Sequence, residues 1–292
     1  MDSGKINRRR GLGLVVLSSV TFGVVPVLVV RCYEMGANST TFLLLRYGMV
    51  LFLLLPFVRP GGDLLRLWKR NWTWILFLAA AGIATTVLVF GAYRYIPTGM
   101  VTTIHFMYPT VVTLICLLFL REKASWRKLV SVALCLAGIL LLGARWEELR
   151  PAGVLMAGAS SVTYALYIIG ADRFPPGELT AVQLMFSVEL FSLILVGGLY
   201  GPLTGALFVE MPLLGWPWLA FCAAVHGLLG QMLFLLGVRD TGAQLAAIAS
   251  TLEPITSIVM GVLFLHEPVS FSSLAGSGLI LAAIAVAVWK GE

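Results

Sequence analysis

The sequence predicts an all-α membrane protein with ten transmembrane helices, arranged as two inverted five-helix repeats. Its composition, its apolar stretches and an internal repeat carry this prediction. Of the 292 residues, 59% are apolar and only 12% are charged, and the mean hydropathy is +0.96. A soluble domain has about 45–50% apolar and about 25% charged residues. The composition therefore excludes a cytosolic enzyme, a secreted module and a disordered chain.

Ten uncharged apolar stretches are long enough to cross a bilayer, which requires about 20 residues for a hydrocarbon core of about 30 Å. The first stretch follows a basic segment, as in a signal peptide. The run from Leu12 to Val30 is nevertheless too long for a signal peptide and lacks a small-residue cleavage site, so we expect a retained helix. The predicted spans lie near residues 12–30, 41–58, 73–93, 100–120, 127–143, 152–170, 180–199, 215–237, 243–265 and 271–289.

The Lys and Arg residues are distributed unequally between the two sides of these spans. Fifteen lie at the two termini and in the loops on the same side, and four lie on the opposite side. Because basic loops stay in the cytoplasm, both termini of this multi-pass membrane protein are expected there. The net charge of +6 is thus an insertion signal, and we expect no nucleic-acid partner. The four cysteines lack paired spacing, which predicts free thiols and no metal site.

The second half of the chain repeats the first half. Ser18–Gly23 (SSVTFG) recurs 142 residues later as Ser160–Ala165 (SSVTYA), and Tyr108–Glu122 recurs 145 residues later as Glu253–Glu267. Offsets this constant indicate two copies of one five-helix unit. Since five is odd, the second copy enters the membrane upside down, and inverted repeats of this kind are a common basis of alternating-access transport. The predicted repeats are residues 1–148 and 149–292.

One sequence pattern occurs in both repeats: a proline, twelve residues, and then a glutamate at the end of a span. Pro109 and Glu122 form the first instance, and Pro254 and Glu267 form the second. Other notable positions are Arg46 in the second span and Gly138–Ile139 in the fifth. Together these residues resemble the EamA family of the drug/metabolite transporter superfamily, over essentially the whole chain. The resemblance implies ten helices, a central cavity and export of amino acids or other small metabolites from bacteria.

Enzyme signatures are absent from the sequence. It contains no HExxH, GxSxG or Walker motif and no Cys/His cluster, so we expect no enzymatic activity, no cofactor and no ATP-driven pumping. The sequence favours a secondary active transporter that exports amino acids or related amines. Two alternatives stay open: uptake or exchange of a nucleoside- or nucleotide-linked metabolite, and a non-transporting membrane sensor. The lack of an intramembrane Arg and Lys cluster argues against the first alternative.

The fourth and ninth spans carry equivalent polar faces. His105 and Tyr108 lie three residues apart on one helix face, and the repeat places Ser250 and Glu253 at the corresponding positions. Polar and ionisable side chains inside a membrane are costly, so we expect these four to line the substrate cavity. Glu253 is also a candidate for binding a cationic amine and for exchanging a proton with it. Its alternative role is to cap the bent helix.

Further aromatic and ionisable side chains complete the predicted site. Tyr164 and Tyr167 share a face of the sixth span, and Phe22 is the counterpart of Tyr164 in the first repeat. Aromatic rings in a membrane cavity suit apolar substrates and cations, although such rings also serve as packing. His226 lies beside small residues, which suits a substrate contact or a close helix crossing. The predicted substrate-binding residues are Phe22, His105, Tyr108, Tyr164, Tyr167, His226, Ser250 and Glu253.

Prolines inside spans are candidates for hinges. Pro26, Pro109 and Pro254 each remove a backbone donor and free carbonyl groups for other contacts. Arg46 is expected to anchor packing or a gate, with a substrate contact as the alternative. It aligns with Glu189 at an offset of 143, but the sequence leaves the partner of Glu189 open.

Stripes of small residues occur in the fifth and tenth spans. Such stripes allow close helix contacts, either between the two repeats or between two subunits, so a monomer and a homodimer are both open. The other expected partners are a small-molecule substrate and the lipid bilayer. The small residues are Ala133 and Ala137 in the fifth span and Gly278 and Ala282 in the tenth.

Overall fold

The computed structural model describes residues 7–37, 39–58, 62–92, 95–96, 101, 104–121, 125–142, 150–175, 178–204, 211–265 and 271–288. All regular secondary structure in these ranges is helical. The helices of the first half are α1 (Arg8–Glu34), α2 (Ser39–Leu54), α3 (Gly62–Ala92), α4 (Tyr108–Leu118) and α5 (Trp126–Leu142). Those of the second half are α6 (Pro151–Asp172), α7 (Ala181–Leu195), α8 (Gly215–Thr241), α9 (Ala243–Ala249), α10 (Leu252–Leu265) and α11 (Phe271–Val288).

Local sequence explains several helix ends. Pro151 begins α6, a position at which the missing backbone donor costs nothing. Thr180 precedes α7 and forms a capping box with Gln183. Two helices contain π-helical turns: α7 continues through Val196–Tyr200, and α8 is π-helical over Ala224–Gly230.

Five of these helical segments are long and apolar enough to cross a membrane, and three shorter apolar helices accompany them within the described residues. The eight segments fall in the second to fourth and sixth to tenth predicted spans, while α1 and α5 coincide with the first and fifth. The prediction of an all-α, multi-pass membrane protein is therefore confirmed. The long segments are Leu64–Val89, Pro151–Asp172, Ala181–Leu199, Gly215–Thr241 and Ala243–Phe264. The shorter ones are Thr40–Leu54, Tyr108–Leu118 and Leu274–Val286.

Equivalent helices of the two halves pack against each other in opposite directions. In the α2–α7 pair, Arg46 contacts Glu189. Leu44 precedes Arg46 in α2, but it lies beside Gly197, which follows Glu189 in the chain. The α5–α11 pair behaves in the same way, and its helices also run antiparallel. Two equivalent helices in antiparallel contact are related by an axis perpendicular to both. The repeats are therefore inverted.

The remaining long contacts come in pairs that this axis exchanges. Helix α3 lies antiparallel along α6, where Trp74 Nε1 donates to Gly170 O at 3.0 Å and the Thr85 and Thr163 hydroxyls lie 2.8 Å apart. Helix α1 lies along α8 in the same way, and the Ser18 hydroxyl donates to Gly230 O at 2.8 Å. Each half therefore buries its helices mainly against the other half.

The ninth span is broken, and a turn also precedes α4 in the fourth. A turn at Ser250–Thr251 separates α9 from α10, and a turn at Phe106–Met107 lies directly before α4. At the break in the ninth span, side-chain hydroxyl groups bond to backbone carbonyls: Ser250 donates to Ala247 O and Thr251 donates to Ile248 O. This is how broken helices are accommodated in a membrane.

The predicted hinge prolines lie in different settings. Pro109 and Pro254 lie in the first turns of α4 and α10, next to the two helix interruptions. Pro26 lies within α1, which is continuous from Arg8 to Glu34; its side chain is outside the described part of the structure. Glu122 and Glu267, at the ends of the repeated pattern, also lie outside the described residues. The hinge role of the prolines stays a prediction.

The contact between α5 and α11 uses a different face from the one that the small-residue stripes suggest. Ala133 and Ala137 on α5, like Gly278 and Ala282 on α11, are exposed. The contact is instead formed around Gly138, which packs against the backbone of α11. Packing of the two repeats through the stripes is therefore not what the structure shows.

Enlarging Gly138 is expected to destabilise the protein. A Cβ at this position would lie 2.7 Å from Gly276 O and 2.8 Å from Ile280 Cγ1, so Gly138→Val forces the two helices apart. Overpacking of this kind costs about 1–3 kcal/mol, measurable as a fall in the free energy of unfolding in detergent. Gly278→Val is the matched control on the partner helix, since nothing lies within 4 Å of a Cβ there. Equal losses in both variants would contradict a tight contact at Gly138.

Candidate functional site

Six aromatic and imidazole rings meet where α4, α6 and α8 approach one another. The ring of Tyr164 is central: it lies edge-on to Tyr108 at 4.7 Å between centroids and 5.3 Å from His105. It stacks on Tyr167 at 6.2 Å and on Phe234 at 6.1 Å. This group is named the inner aromatic cluster and consists of His105, Phe106, Tyr108, Tyr164, Tyr167 and Phe234.

Two serines orient the polar atoms of this cluster. Ser160 donates its only hydroxyl proton to Ala157 O at 2.6 Å, so it accepts the hydrogen bond that joins it to His105 Nδ1 at 3.0 Å. This arrangement favours the neutral imidazole that carries its proton on Nδ1, in which Nε2 is the acceptor nitrogen. Ser250 likewise donates to Ala247 O, so Tyr108 donates its hydroxyl proton to Ser250 at 2.6 Å.

Glu253 lies beside the inner aromatic cluster, in the first turn of α10. It is close enough to Tyr108 and Tyr164 to interact with them electrostatically. No described residue forms a hydrogen bond or an ion pair with its carboxyl group. The first turn of a helix favours a carboxylate, which agrees with the capping alternative, while the lack of a protein partner agrees with a ligand contact.

A second polar group lies between α2, α7 and α8. Arg46 Nη2 lies 3.3 Å from Glu189 Oε1. Both residues are buried: Arg46 is 6% exposed and Glu189 is 2% exposed. His226 adjoins Arg46, and its ring lies 5.3 Å from Phe22 and 6.1 Å from Phe42. Arg46, Glu189 and His226 are named the axial polar cluster, because Arg46 and Glu189 occupy equivalent positions in the two repeats.

The structure thus divides the predicted site between two places. His105, Tyr108, Tyr164 and Tyr167 belong to the inner aromatic cluster, with Ser250 bonded to it and Glu253 beside it. Phe22, His226 and Arg46 lie at the axial polar cluster instead. The roles assigned to these residues stay predictions.

Some residues of these clusters were not singled out from the sequence. Gln231 donates a hydrogen bond to the Tyr167 hydroxyl, and Phe234 stacks on Tyr164. Gln231 carries a usable signal, since an amide inside an apolar span requires a partner. Glu189, in contrast, was singled out by its alignment with Arg46, and the structure supplies the partner that the sequence left open.

A cavity of about 610 Å³ lies between the second half of α1, the start of α8 and the end of α10. It shares no residue with the inner aromatic cluster, whose rings pack closely. Its lining is mostly apolar, with one carboxylate at the edge. The lining residues are Val24, Leu28, Glu34, Met35, Leu214, Trp218, Met260 and Phe264.

Metal-binding groups are not apparent within the described ranges, where no three His, Cys, Asp or Glu side chains converge. The four cysteines are buried and form no disulfide bond. Among the described residues, the inner aromatic cluster presents rings and hydroxyl groups, with the Glu253 carboxyl group beside it. At the axial polar cluster the structure offers a neutralised pair of charges.

Sequence comparison identifies the family. The profile of the EamA-like transporter family matches residues 9–144 and 151–289. The chain belongs to this family. An uncharacterized transporter of Archaeoglobus fulgidus is 25% identical over 288 residues, and the alignment covers 97% of each chain. The uncharacterized transporter YvbV of Bacillus subtilis is 28% identical over 230 residues, covering 75% of this transporter and 73% of YvbV.

A solved structure supports the same fold. The crystal structure of a protein 18% identical in sequence superimposes with a TM-score of 0.74, over 95% of this transporter and 97% of that chain. The expected EamA and drug/metabolite transporter membership is confirmed, and so is the expectation that the protein is a transporter and not an enzyme. The family and the apolar helices together make the transporter a multi-pass membrane protein.

Proposed function

We propose that this EamA-family transporter is a secondary active transporter that exports amino acids or related amines by alternating access. The observation that carries the proposal is the inner aromatic cluster with the Glu253 carboxyl group beside it. An ammonium group is attracted to the faces of aromatic rings and to a carboxylate. His105 Nε2, the acceptor nitrogen of the favoured tautomer, supplies a further acceptor for an N–H group.

The charges of the described interior favour an amine over a phosphate. Glu253 is negative when ionised and repels phosphate from the inner aromatic cluster. Arg46, the buried basic side chain of the described spans, is already neutralised by Glu189. Recognition of a nucleotide-linked metabolite requires clustered Arg or Lys groups, and the described interior supplies none. The nucleotide alternative is therefore the weaker proposal.

Coupling to protons is proposed to use Glu253. A carboxyl group that binds an ammonium group in one state can bind a proton in the other, so that the two cations compete for one site. Export of the amine then accompanies entry of a proton. The position of Glu253 in the first turn of α10 also suits a helix cap, and the two roles differ in their response to pH.

Alternation is proposed to involve the interrupted spans. Tyr108, just after the turn before α4, donates to Ser250 at the other interruption. Pro109 and Pro254 follow directly on these turns, and Pro26 lies in the helix that packs against α10. Because the two repeats are related by an axis, they can exchange their conformations. The two resulting states of the transporter would have equivalent contacts and therefore similar energies. Arg46 and Glu189 hold the equivalent helices α2 and α7 together at this axis.

The transporter is proposed to lie in the bacterial inner membrane with both termini in the cytoplasm. The support is the excess of Lys and Arg, fifteen against four, on the side of the termini. A reporter enzyme fused after Glu292 tests this placement, and activity of a periplasmic reporter there would contradict it.

Flux of a labelled amino acid or amine in reconstituted vesicles is the test of the proposed function. Candidate substrates are first selected by thermal shift, since a ligand that binds only the folded state stabilises it. Flux that depends on the protein distinguishes a transporter of amines from a sensor, which binds without transport. Stabilisation and flux with nucleotide-linked metabolites alone would overturn the amine proposal.

Removing the central ring of the site is expected to weaken binding of aromatic substrates more than of small ones. Tyr164→Ala removes the ring that contacts Tyr108, Tyr167 and Phe234. A substrate then loses about 0.5–2 kcal/mol of interaction between its own ring or ammonium group and this tyrosine. The KM for an aromatic amine should rise several-fold. Phe221→Ala is the control, because this ring on α8 is 52% exposed. Equal losses for all substrates would make Tyr164 a packing residue.

A further inference from the structure

We propose that the axial polar cluster of Arg46, Glu189 and His226 binds an internal water molecule between the two repeats. Tyr167 of the inner aromatic cluster is close enough to Arg46 and Glu189 to interact with them electrostatically, but the unsatisfied atoms belong to the axial polar cluster alone. The site does not depend on which substrate the transporter carries. The inference starts from polar atoms that have no partner among the described residues.

Three buried polar atoms of this cluster are unsatisfied: Arg46 Nε, Glu189 Oε2 and His226 Nδ1. The first two belong to one ion pair, in which Arg46 Nη2 and Glu189 Oε1 already lie 3.3 Å apart. A buried donor or acceptor without a partner costs about 1–3 kcal/mol, and more for a charged group. Arg46 is the neighbour that Glu189 and His226 share, so one small ligand beside its guanidinium group would satisfy these atoms.

The backbone of α8 brings His226 to this ion pair. A Cβ on Gly227 would lie 2.4 Å from Val50 Cγ2 and 3.0 Å from Arg46 Cγ, so a glycine here allows α8 to approach α2 closely. The segment Ala224–Gly230 is also π-helical. Single π-helical turns are frequent at functional sites, because they change the direction of the side chains that follow.

The charges of the cluster select the ligand. Arg46 and Glu189 neutralise each other, so an anion would meet the carboxylate and a metal cation would meet the guanidinium group. The free atoms comprise a donor, Arg46 Nε–H, an acceptor, Glu189 Oε2, and an imidazole nitrogen that can serve as either. A water molecule both donates and accepts and carries no charge. It is the small ligand that satisfies all three atoms.

Such a water molecule would act on the contact between α2 and α7. These equivalent helices meet at the axis that relates the repeats, where a dry ion pair would lock them together. A bridging water can exchange its hydrogen bonds as the helices shift, at an immobilisation cost of about 0–2 kcal/mol. His226 is in this proposal a positioning residue, which acts on the ion pair through the water.

A high-resolution structure of the full chain in its lipid environment, determined in chloride and again in bromide, tests the site directly. The expected result is one solvent peak within hydrogen-bond distance of Arg46 Nε, Glu189 Oε2 and His226 Nδ1, unchanged by bromide. An anomalous bromide signal at this place would show an anion site and overturn the proposal. Absence of a peak, with the three atoms paired to protein groups, would also overturn it.

Thermal unfolding of His226→Phe provides a second test, because the unfolding temperature responds differently with and without a water molecule at Nδ1. Phenylalanine keeps the ring that contacts Phe22 and Phe42 but removes Nδ1. If a water bonds to Nδ1, its loss should lower the unfolding temperature by about 2–4 °C. If Nδ1 has no ligand, removing an unsatisfied nitrogen leaves this temperature unchanged or raises it, and the proposal fails. Phe221→Leu is the control, on the exposed side of the same helix.

Discussion

Replacing Arg46 with leucine is expected to lower the free energy of unfolding by about 3–5 kcal/mol, the usual cost of leaving one buried charge without its partner. Glu189 is 2% exposed, and Arg46 lies 3.3 Å from one of its oxygens. In Arg46→Leu the carboxylate loses this partner within the membrane. It must then become protonated or draw water into the helix contact, and both responses weaken the packing of α2 against α7.

The double variant Arg46→Leu/Glu189→Leu separates this cause from a general loss of packing. Removing both charges leaves an apolar contact, so the double variant should recover much of the stability that the single variant loses. The ion pair Arg70–Glu178, in which the arginine is exposed and the glutamate is 16% exposed, serves as the control. Its nitrogen and oxygen lie 3.0 Å apart, but Arg70 is 72% exposed, and such pairs contribute about 0–1 kcal/mol. Unfolding in detergent measures all of these variants. A double variant no more stable than the single one would contradict the charge argument.

Replacing Glu253 with glutamine is expected to abolish the response of transport to a proton gradient. Glutamine matches the size of a protonated glutamic acid but cannot release a proton. The variant should therefore require a higher amine concentration, because the ammonium group loses its carboxylate, but it should still move the amine down its own gradient. It should fail to accumulate the amine when a proton gradient is imposed. Tyr108 and Tyr164, the described titratable groups that interact electrostatically with Glu253, both remain in the variant.

Flux in vesicles with and without an imposed pH difference measures this effect. Glu178→Gln is the control, because Glu178 pairs with Arg70 and Asn71 at the periphery, far from the inner aromatic cluster in the fold. An unchanged response to the proton gradient would remove Glu253 from coupling and leave its role as a helix cap. Loss of all flux, with and without the gradient, would instead indicate that the carboxylate is needed to bind the substrate.

The helices and their inversion could be predicted from the sequence because both follow from local patterns. Apolar stretches of sufficient length reveal the spans, and the constant offset between Ser18 and Ser160, or Tyr108 and Glu253, reveals the repeat. An odd number of spans per repeat then requires inversion. The antiparallel contacts of α2 with α7 and of α5 with α11 follow this rule.

The arrangement of the candidate residues could be predicted only in part. The equivalence of Tyr108 and Glu253 placed Ser250 near Tyr108, and the structure joins these two by a hydrogen bond. His226 was grouped with the same residues, but it contacts Phe22 and Phe42 at the axial polar cluster. Which face of a long apolar helix meets which neighbour depends on the packing of all the others. In α8 the direction of the side chains also depends on a π-helical turn that the sequence pattern does not predict.

By itself, the sequence determined that this chain crosses a membrane several times, that it does so in two inverted copies, and that it belongs to a transporter family. Each of these properties depends on composition or on repetition along the chain. Only the tertiary structure decided that Glu189 neutralises Arg46 and that Gln231 bonds to Tyr167. Buried polar side chains take whichever partner the packing brings within about 3 Å. That distance is a property of the assembled helices, since residues 143 or 64 positions apart have no local relation.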